Sequence, residues 1–256
     1  MSLRPAAMLY GEPWWWGAWG GLLETVRTGR TAFDDVHGAG LFAYLGDHPE
    51  ASASFNAAMQ QMTGERAAAI AAGYEFSSTT RLVDVGGGHG ALAAAILERH
   101  PGVEVTVFDS AEVVAGALTR LAQLGFANRT RVAGGSFFES VPSGGDTYTL
   151  KDILHDWDDA RALQILRNVR RATAEGARVL VIERLVPEGA EASASTLVDI
   201  SMLVLTGGKE RTLAEYGSLL RRSGFDVQGV VRIDDETSVV EAIPSPEPPP
   251  EASGAR

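Results

Sequence analysis

Arg81-Leu82-Val83-Asp84-Val85-Gly86-Gly87-Gly88-His89-Gly90-Ala91 is the stretch that decides the fold. Its first half is a short apolar run suited to a buried strand. Its second half is a glycine loop that opens at once into an apolar helical pattern over 91–100, stopped by Pro101. A strand, a glycine turn and a helix in succession let backbone approach a ligand near a helix N-terminus. Outward from this stretch the alternation continues. Strand patterns fall at 103–108, 131–133, 147–150 and 178–182, and the helical pattern between the last two puts Ala162, Ile165, Leu166 and Val169 on one face. Residues 184–194 read as a loop. Thr212 and Glu215 form a capping box on a helix that ends at Gly224, and strands at 226–233 and 238–242 lie close enough to pair as an antiparallel hairpin. The pattern predicts an α/β protein with a mainly parallel seven-stranded sheet, helices on both faces and a terminal antiparallel hairpin.

Upstream, residues 12–75 read as helical. Trp19, Leu22, Leu23 and Val26 recur at helical spacing before a Thr28-Gly29 stop, and a second stretch runs through Phe55, Met59 and Met62. The chain is therefore expected to divide into a helical segment, 1–75, packed on a catalytic domain, 76–243. A disordered tail, 244–256, rich in Pro, Glu, Ser and Gly, would follow.

Composition bounds what such a domain does. At 256 residues there is room for one sizeable α/β domain with a small helical extension. A formal net charge of -11 argues against a nucleic-acid or anionic-membrane partner, each of which asks for a basic surface. The absence of cysteine excludes disulfides, thiolate metal sites and a cysteine nucleophile, and fits a cytoplasmic location. The apolar stretch at 13–23 is too short to span a bilayer and too rich in tryptophan and glycine for a signal peptide, so it reads as a packing segment.

The glycine loop alone leaves two cofactors open. Gly86, Gly88 and Ala91 satisfy G-x-G-x-x-A, and Asp109, ending the second strand, is placed to accept ribose hydroxyls, so a dinucleotide reading stands. Three features favour S-adenosylmethionine. Asp84 stands two residues before Gly86, an acidic neighbourhood that suits an amino group where a pyrophosphate has no use for it. The last two strands form a hairpin instead of a further crossover. A His-Asp-Trp element follows the fourth strand.

That element, Leu150-Lys151-Asp152-Ile153-Leu154-His155-Asp156-Trp157, places a histidine just past the carboxyl end of a parallel strand, where α/β sheets bind ligands. Methyl transfer from a sulfonium needs an aligned, deprotonated nucleophile and little acid help, because the leaving group departs neutral. Neutral imidazole suits the removal of a phenol or enol proton. A carboxylate on the other ring nitrogen would fix the tautomer; Glu183, ending the fifth strand, and Glu210, before the capped helix, are the candidates. The competing reading of His155 is a structural hydrogen bond at a helix start.

Gly86 to Gly90, the string through Trp157 and Gly207-Gly208-Lys209-Glu210-Arg211-Thr212 occur in the order that resembles the S-adenosylmethionine-dependent O-methyltransferases of the caffeic acid, isoflavone and acetylserotonin type, with their actinobacterial polyketide-tailoring relatives. The resemblance spans roughly residues 12–243. It implies a Rossmann-like class I methyltransferase with His155 as general base and Glu183 and Glu210 flanking it. It also implies cofactor contacts from Gly86, Asp109, Ser136, Phe137 and Lys151, to which the loop itself adds Asp84 and Gly88. Phe55, Met59 and Met202 map onto substrate walls, although core packing accounts for all three equally well. No metal is implied. The expected substrate is a small hydroxylated aromatic or polyketide-like secondary metabolite.

Two departures qualify the resemblance. Gly135-Ser136-Phe137-Phe138 stands where the family often has Gly-Asp-Phe-Phe, so one charged contact to the cofactor is lost, at a cost of about 1 kcal/mol. The N-terminal winged-helix dimerisation domain of the family is also missing from the chain. Trp14, Trp15, Trp16 and Trp19 then either pack on the catalytic domain or meet a homodimer mate or a partner chain that supplies the absent part. The alternative function follows from this: a cofactor-binding subunit that catalyses a reaction other than methylation, or that needs a partner chain.

Overall fold

The computed structural model describes residues 4–189 and 194–246. Six helices lead: α1 (Arg4–Gly11), α2 (Pro13–Gly20), α3 (Leu22–Thr28), α4 (Ala32–His37), α5 (Leu41–Asp47) and α6 (Pro49–Gly73). The α/β part follows as β1 (Arg81–Val85), α7 (Ala91–Arg99), β2 (Glu104–Asp109), α8 (Ala111–Gln123), β3 (Thr130–Gly134), β4 (Thr147–Lys151), α9 (Asp159–Ala172), β5 (Arg178–Glu183), α10 (Ala194–Leu205), α11 (Leu213–Arg222), β6 (Phe225–Arg232) and β7 (Ser238–Pro244). The sheet has seven strands in the order β3-β2-β1-β4-β5-β7-β6. The pairs among the first five strands are parallel, and β7 runs antiparallel to both β5 and β6.

Strand periodicity divides the core between the two faces of the sheet. Val179 and Val181 of β5 join Val83, Val85, Tyr148 and Leu150 on one face, packed against Leu163 and Leu166 of α9 and Leu219 and Leu220 of α11. Leu180 and Ile182 turn the other way, joining Leu82, Val105 and Val107 against Leu92 and Ile96 of α7 and Ile70 of α6. A third cluster unites the leading helices through Leu9, Trp15, Phe33, Leu41 and Ala58, with Val204 and Leu205 of α10. Helix α6 belongs to two clusters at once: Ala58 lies in the third, whereas Ala67, Ile70 and Ala71 belong to the sheet core.

Several expectations change here. The apolar stripe expected through Trp19, Leu22, Leu23 and Val26 faces a core only in part: Trp19 and Leu22 pack against the third cluster, whereas Leu23 and Val26 are exposed. Glycines at 20, 21, 29, 38 and 40 break the leading segment into short pieces that do not share one face. Among the tryptophans, Trp15 is buried, Trp14 and Trp19 pack partly into the third cluster, and Trp16 is exposed. Helix α10 occupies a region that carries no helical expectation. The tail does not begin at 244, because Pro244 closes β7 and the Ser245 N–H donates to the Gly224 carbonyl at 2.9 Å. Residues 247–256, where disorder was expected, lie outside the described residues.

Candidate active site

Strand β4 ends in a turn that carries His155. Asp152 adopts φ 51°, a left-handed conformation uncommon for a residue with a side chain, and a single 3-10 turn over Leu154–Asp156 follows. The turn is aimed by hydrogen bonds from the end of β5 and from the loop before α11. Glu183, ending β5, accepts the Ile153 N–H (3.0 Å) and the Leu154 N–H (2.8 Å) on Oε1. Arg211 is fully buried and donates to the carbonyls of Leu154 (2.8 Å) and Trp157 (2.7 Å) and to Oδ1 of Asp159. The Lys209 N–H donates to the His155 carbonyl at 2.9 Å. That approach requires glycine next door: a Cβ on Gly208 would lie 2.0 Å from the same carbonyl oxygen.

His155 is buried, and its Nδ1 meets Oε1 of Glu210 at 2.8 Å. Oε2 of Glu183 lies 3.8 Å from the same nitrogen, and Oδ1 of Asp156 lies 3.8 Å from Nε2. Glu210 is itself positioned by α10, for its N–H donates to Asp199 Oδ1 at 2.8 Å. Burial opposes the imidazolium, but Glu183, Asp156 and Glu210 outweigh it and lift His155 to about 10. The acids respond to burial in the opposite sense. Burial raises Glu183 to about 7, Asp152 and Glu210 adding to it against His155 and the Leu154 N–H. Burial likewise raises Asp156 to about 6, against the pull of His155.

Asp152 stands apart electrostatically. Burial would raise it, but Lys151, Arg66, His155 and Arg184 hold its carboxyl far below the ordinary carboxylate range. Arg66 reaches it at 3.1 Å, Arg184 at 3.7 Å, and Lys151 makes a short contact. Asp152, His155 and Glu183 bring ligand atoms within 4.8 Å of one another, the spacing of a metal site. Three cations already surround Asp152, and Oε1 of Glu183 is committed to two backbone N–H groups. A divalent ion there would meet like charge on the side of Asp152.

The glycine loop lies alongside. Gly86, Gly88 and Gly90 all have φ between 57° and 73°, and the Gly86 N–H donates to the Phe108 carbonyl at 2.8 Å. A Cβ on Gly86 would lie 2.3 Å from Cδ1 of Ile153, so the loop and the histidine turn are in contact. Asp109 accepts the Gly88 N–H (2.9 Å) and the Ser110 N–H (2.7 Å), which shapes the loop and leaves each oxygen a further lone pair. Asp84 lies beneath the loop, not on its open face. It is 1% exposed, its Oδ1 accepts the Thr149 hydroxyl at 2.7 Å, and a Cβ on Gly87 would come within 2.6 Å of Oδ2. That Oδ2 has no hydrogen-bond partner, and burial lifts the carboxyl to about 6. Ser136 Oγ accepts the Phe138 N–H at 3.3 Å, Phe137 packs on the β4 face of the core, and Lys151 also lies 3.5 Å from Thr63 of α6. Backbone freedom at Gly88, acceptors at Asp109 and a buried acid below the loop fit an adenosyl amino acid.

Phe55 and Met59 are half-buried in the cluster of leading helices. Phe42 connects that cluster to the histidine turn, with ring centroids 6.4 Å from Phe55 and 5.4 Å from Trp157. Met202 is half-buried on α10, where Thr206 Oγ1 bonds its carbonyl. A cleft of about 480 Å³ opens elsewhere, between the α5–α6 junction and the outer side of the glycine loop, lined by Ser52, Asn56, Gln60, His89 and Glu112. None of Phe55, Met59 and Met202 lines it. The sequence reading missed Asp156, Asp152, Asp199 and the bracing role of Arg211. Asp156 and Arg211 stood in strings already quoted, whereas nothing in the sequence tied Asp199 to Glu210.

A profile of the O-methyltransferase domain matches residues 19–226. The chain is 41% identical to a phenazine O-methyltransferase of Lysobacter antibioticus over 95% of its own length and 71% of that protein. It is 44% identical to the O-demethylpuromycin O-methyltransferase of Streptomyces alboniger over 89% of its length, spanning only 62% of that relative. Proteins named as N-methyltransferases match as well. Among solved structures, an O-methyltransferase of neocarzinostatin biosynthesis, in complex with S-adenosylmethionine and 2-hydroxy-5-methyl naphthoic acid, superposes with a TM-score of 0.82 at 36% identity. That match covers 89% of this chain and 68% of the other.

Proposed function

The chain belongs to the O-methyltransferase family, whose members use S-adenosylmethionine, and we propose that it methylates a phenolic or enolic hydroxyl of a small aromatic or polyketide-like secondary metabolite, with His155 as general base. The observation that carries this reading is the 2.8 Å contact of His155 Nδ1 with Glu210, backed by Glu183, which leaves Nε2 to take the acceptor's proton. An amine acceptor attacks through a lone pair it already has; a hydroxyl needs a base. A buried imidazole with this many acids behind it therefore favours the hydroxyl.

When bound, the cofactor supplies an electrophilic methyl group on a positively charged sulfur that departs neutral. Gly86, Gly88, Asp109, Ser136, Phe137 and Lys151 would hold it, with Asp84 contributing negative charge from beneath. The acids behind His155 favour its imidazolium form in the free site. A cation beside the ring would work against that charge and favour release of the Nε2 proton to solvent, because like charges disfavour the imidazolium. The neutral ring then takes the proton of the acceptor hydroxyl. Glu210, Glu183 and Asp156 stabilise the imidazolium so formed. Phe55, Met59 and Met202, with Phe42 and Trp157, would form the apolar wall that keeps the acceptor in line with the methyl group.

The test is methyl transfer from labelled S-adenosylmethionine to a panel of phenols and matched anilines, run with His155→Gln. Transfer to hydroxyls is expected, with the variant slowed by about 10²-fold or more and its cofactor affinity within a few-fold. Unchanged turnover in the variant, or transfer confined to the anilines, would refute the reading.

A further inference from the structure

Two consecutive backbone N–H groups hold the segment that carries Glu210, and they go to different elements. That of Lys209 donates to the His155 carbonyl at 2.9 Å, and that of Glu210 donates to Oδ1 of Asp199 on α10 at 2.8 Å. From the same residue the Glu210 side chain reaches Nδ1 of His155 at 2.8 Å. The segment is thus a bridge, with the base at one end and α10 at the other. Gly207, at φ 71°, turns the chain back after α10, whose end is closed by the Thr206 and Gly207 N–H groups on the Met202 carbonyl (3.0 and 2.9 Å). Helix α10 itself rests on the leading helices: Val204 and Leu205 are buried in their cluster, and Ile200 packs against it.

The Asp199 bond anchors the backbone from which the Glu210 side chain springs, so it sets where the carboxylate starts on its way to the ring. Attraction between the two acids is not the cause, because like charges disfavour one another and the charge of Glu210 works against that of Asp199. What Asp199 contributes is an acceptor for one N–H, and the neutral side chain of asparagine carries the same acceptor. We infer that Asp199 is a positioning residue for His155, holding the Glu210 backbone so that its carboxylate meets Nδ1. Asp199 touches no reacting atom and acts through Glu210. It joins the cluster of leading helices, by way of α10, to the acid that partners the ring. For its effect on turnover the inference rests on His155 being the base. For its effect on the Nδ1 hydrogen bond it does not.

Two variants separate the hydrogen bond from the charge. Asp199→Ala deletes the acceptor at a half-buried helical position that alanine suits, and Asp199→Asn keeps the acceptor while removing the charge. Two readouts are taken on the full chain: the low-field NMR resonance of the His155 Nδ1 proton in histidine-labelled protein, and kcat and KM for methyl transfer to the phenol panel. In Asp199→Ala the resonance should move upfield or vanish, and kcat should fall about ten-fold, the worth of one well-placed hydrogen bond. KM for S-adenosylmethionine should stay within about two-fold. Asp199→Asn should keep the resonance and at least half of the parent kcat. An Asp199→Ala protein with its resonance in place would overturn the inference, whether or not kcat falls, because the Glu210 bond would then stand without Asp199. An Asp199→Asn protein as impaired as Asp199→Ala would overturn it too, by showing that charge and not the acceptor matters. A lost resonance with unaltered kcat would uphold the link to Glu210 and remove His155 from its role as base.

Discussion

Gly208→Ala is the sharpest test of how the base is aimed. The added Cβ would lie 2.0 Å from the His155 carbonyl oxygen, 2.5 Å from the Asp156 carbonyl carbon and 2.8 Å from the Trp157 nitrogen. All three are backbone atoms, so no side chain can swing aside to make room. Relief to an ordinary contact of about 3.4 Å needs the histidine turn to retreat by roughly 1.4 Å, since interiors are close-packed and yield little. That retreat works against the Lys209 bond to the same carbonyl and against the Arg211 bonds to Leu154 and Trp157. Overpacking of this kind costs about 1–3 kcal/mol of stability, and a 1 Å displacement of a reacting group costs about 10²-fold in rate. The glycine loop is left alone, so cofactor affinity measured by calorimetry should change no more than a few-fold. Gly102→Ala is the matched control: nothing lies within 4 Å of its Cβ position, and it should leave both rate and melting temperature unchanged. A Gly208→Ala enzyme with kcat within about two-fold of the parent and an unaltered melting temperature would refute the claim that this contact aims His155.

Glu210→Gln exchanges a charged partner of His155 for a neutral one. Because the carboxylate raises His155, its loss lowers the pH at which the imidazolium gives way, by about one pH unit for a difference of about 1.4 kcal/mol between the two hydrogen bonds. The alkaline rise of kcat/KM should therefore move to lower pH while the plateau falls, and a pH–rate profile that keeps its midpoint would count against the assignment. Ser136→Asp restores a charged acceptor where the Ser136 hydroxyl now accepts the Phe138 N–H. Cofactor binding should tighten about five-fold, equivalent to about 1 kcal/mol, with no change in the pH dependence; calorimetry giving equal or weaker binding would show that Ser136 does not face the cofactor.

The sheet was legible because its signals are local. Alternating apolar strands, the glycine turn after Val85, Pro101 and the Thr212–Glu215 capping box each act within a few residues, and the structure places the corresponding elements there, the capping box complete. The leading helices were legible only as helical, because which face of each is buried depends on glycine breaks and on α10, a partner far along the chain. The acids around His155 were legible as candidates because each ends a strand or opens a capped helix at the same edge of the sheet. Their division of labour was not. Glu183 bonds the backbone of the histidine turn more closely than it approaches the ring, and Glu210 alone meets Nδ1 at hydrogen-bond distance. Asp84 shows the limit most clearly. Its place in the motif suggests a ligand contact, yet its side chain turns into the sheet toward Thr149, a matter of strand facing that spacing to a glycine does not specify.

The charges at this edge are also sorted, and the sorting bears on direction of proton flow. Asp152, one turn from His155, is ringed by Lys151, Arg66 and Arg184, so positive charge exceeds negative at the end of β4. Around the imidazole the balance is reversed: Glu183, Glu210 and Asp156 face a single ring. Had Asp152 been left without its cations, a fourth carboxylate would have driven Glu183 and Asp156 further toward their neutral forms, because like charges disfavour ionisation. Neutral acids give the imidazolium little support. The cations on Asp152 offset part of that repulsion from a position that does not touch the ring. Arg66 ties this arrangement to α6, the helix that joins the leading cluster to the sheet core, so one of the cations that hold Asp152 ionised comes from the N-terminal helices.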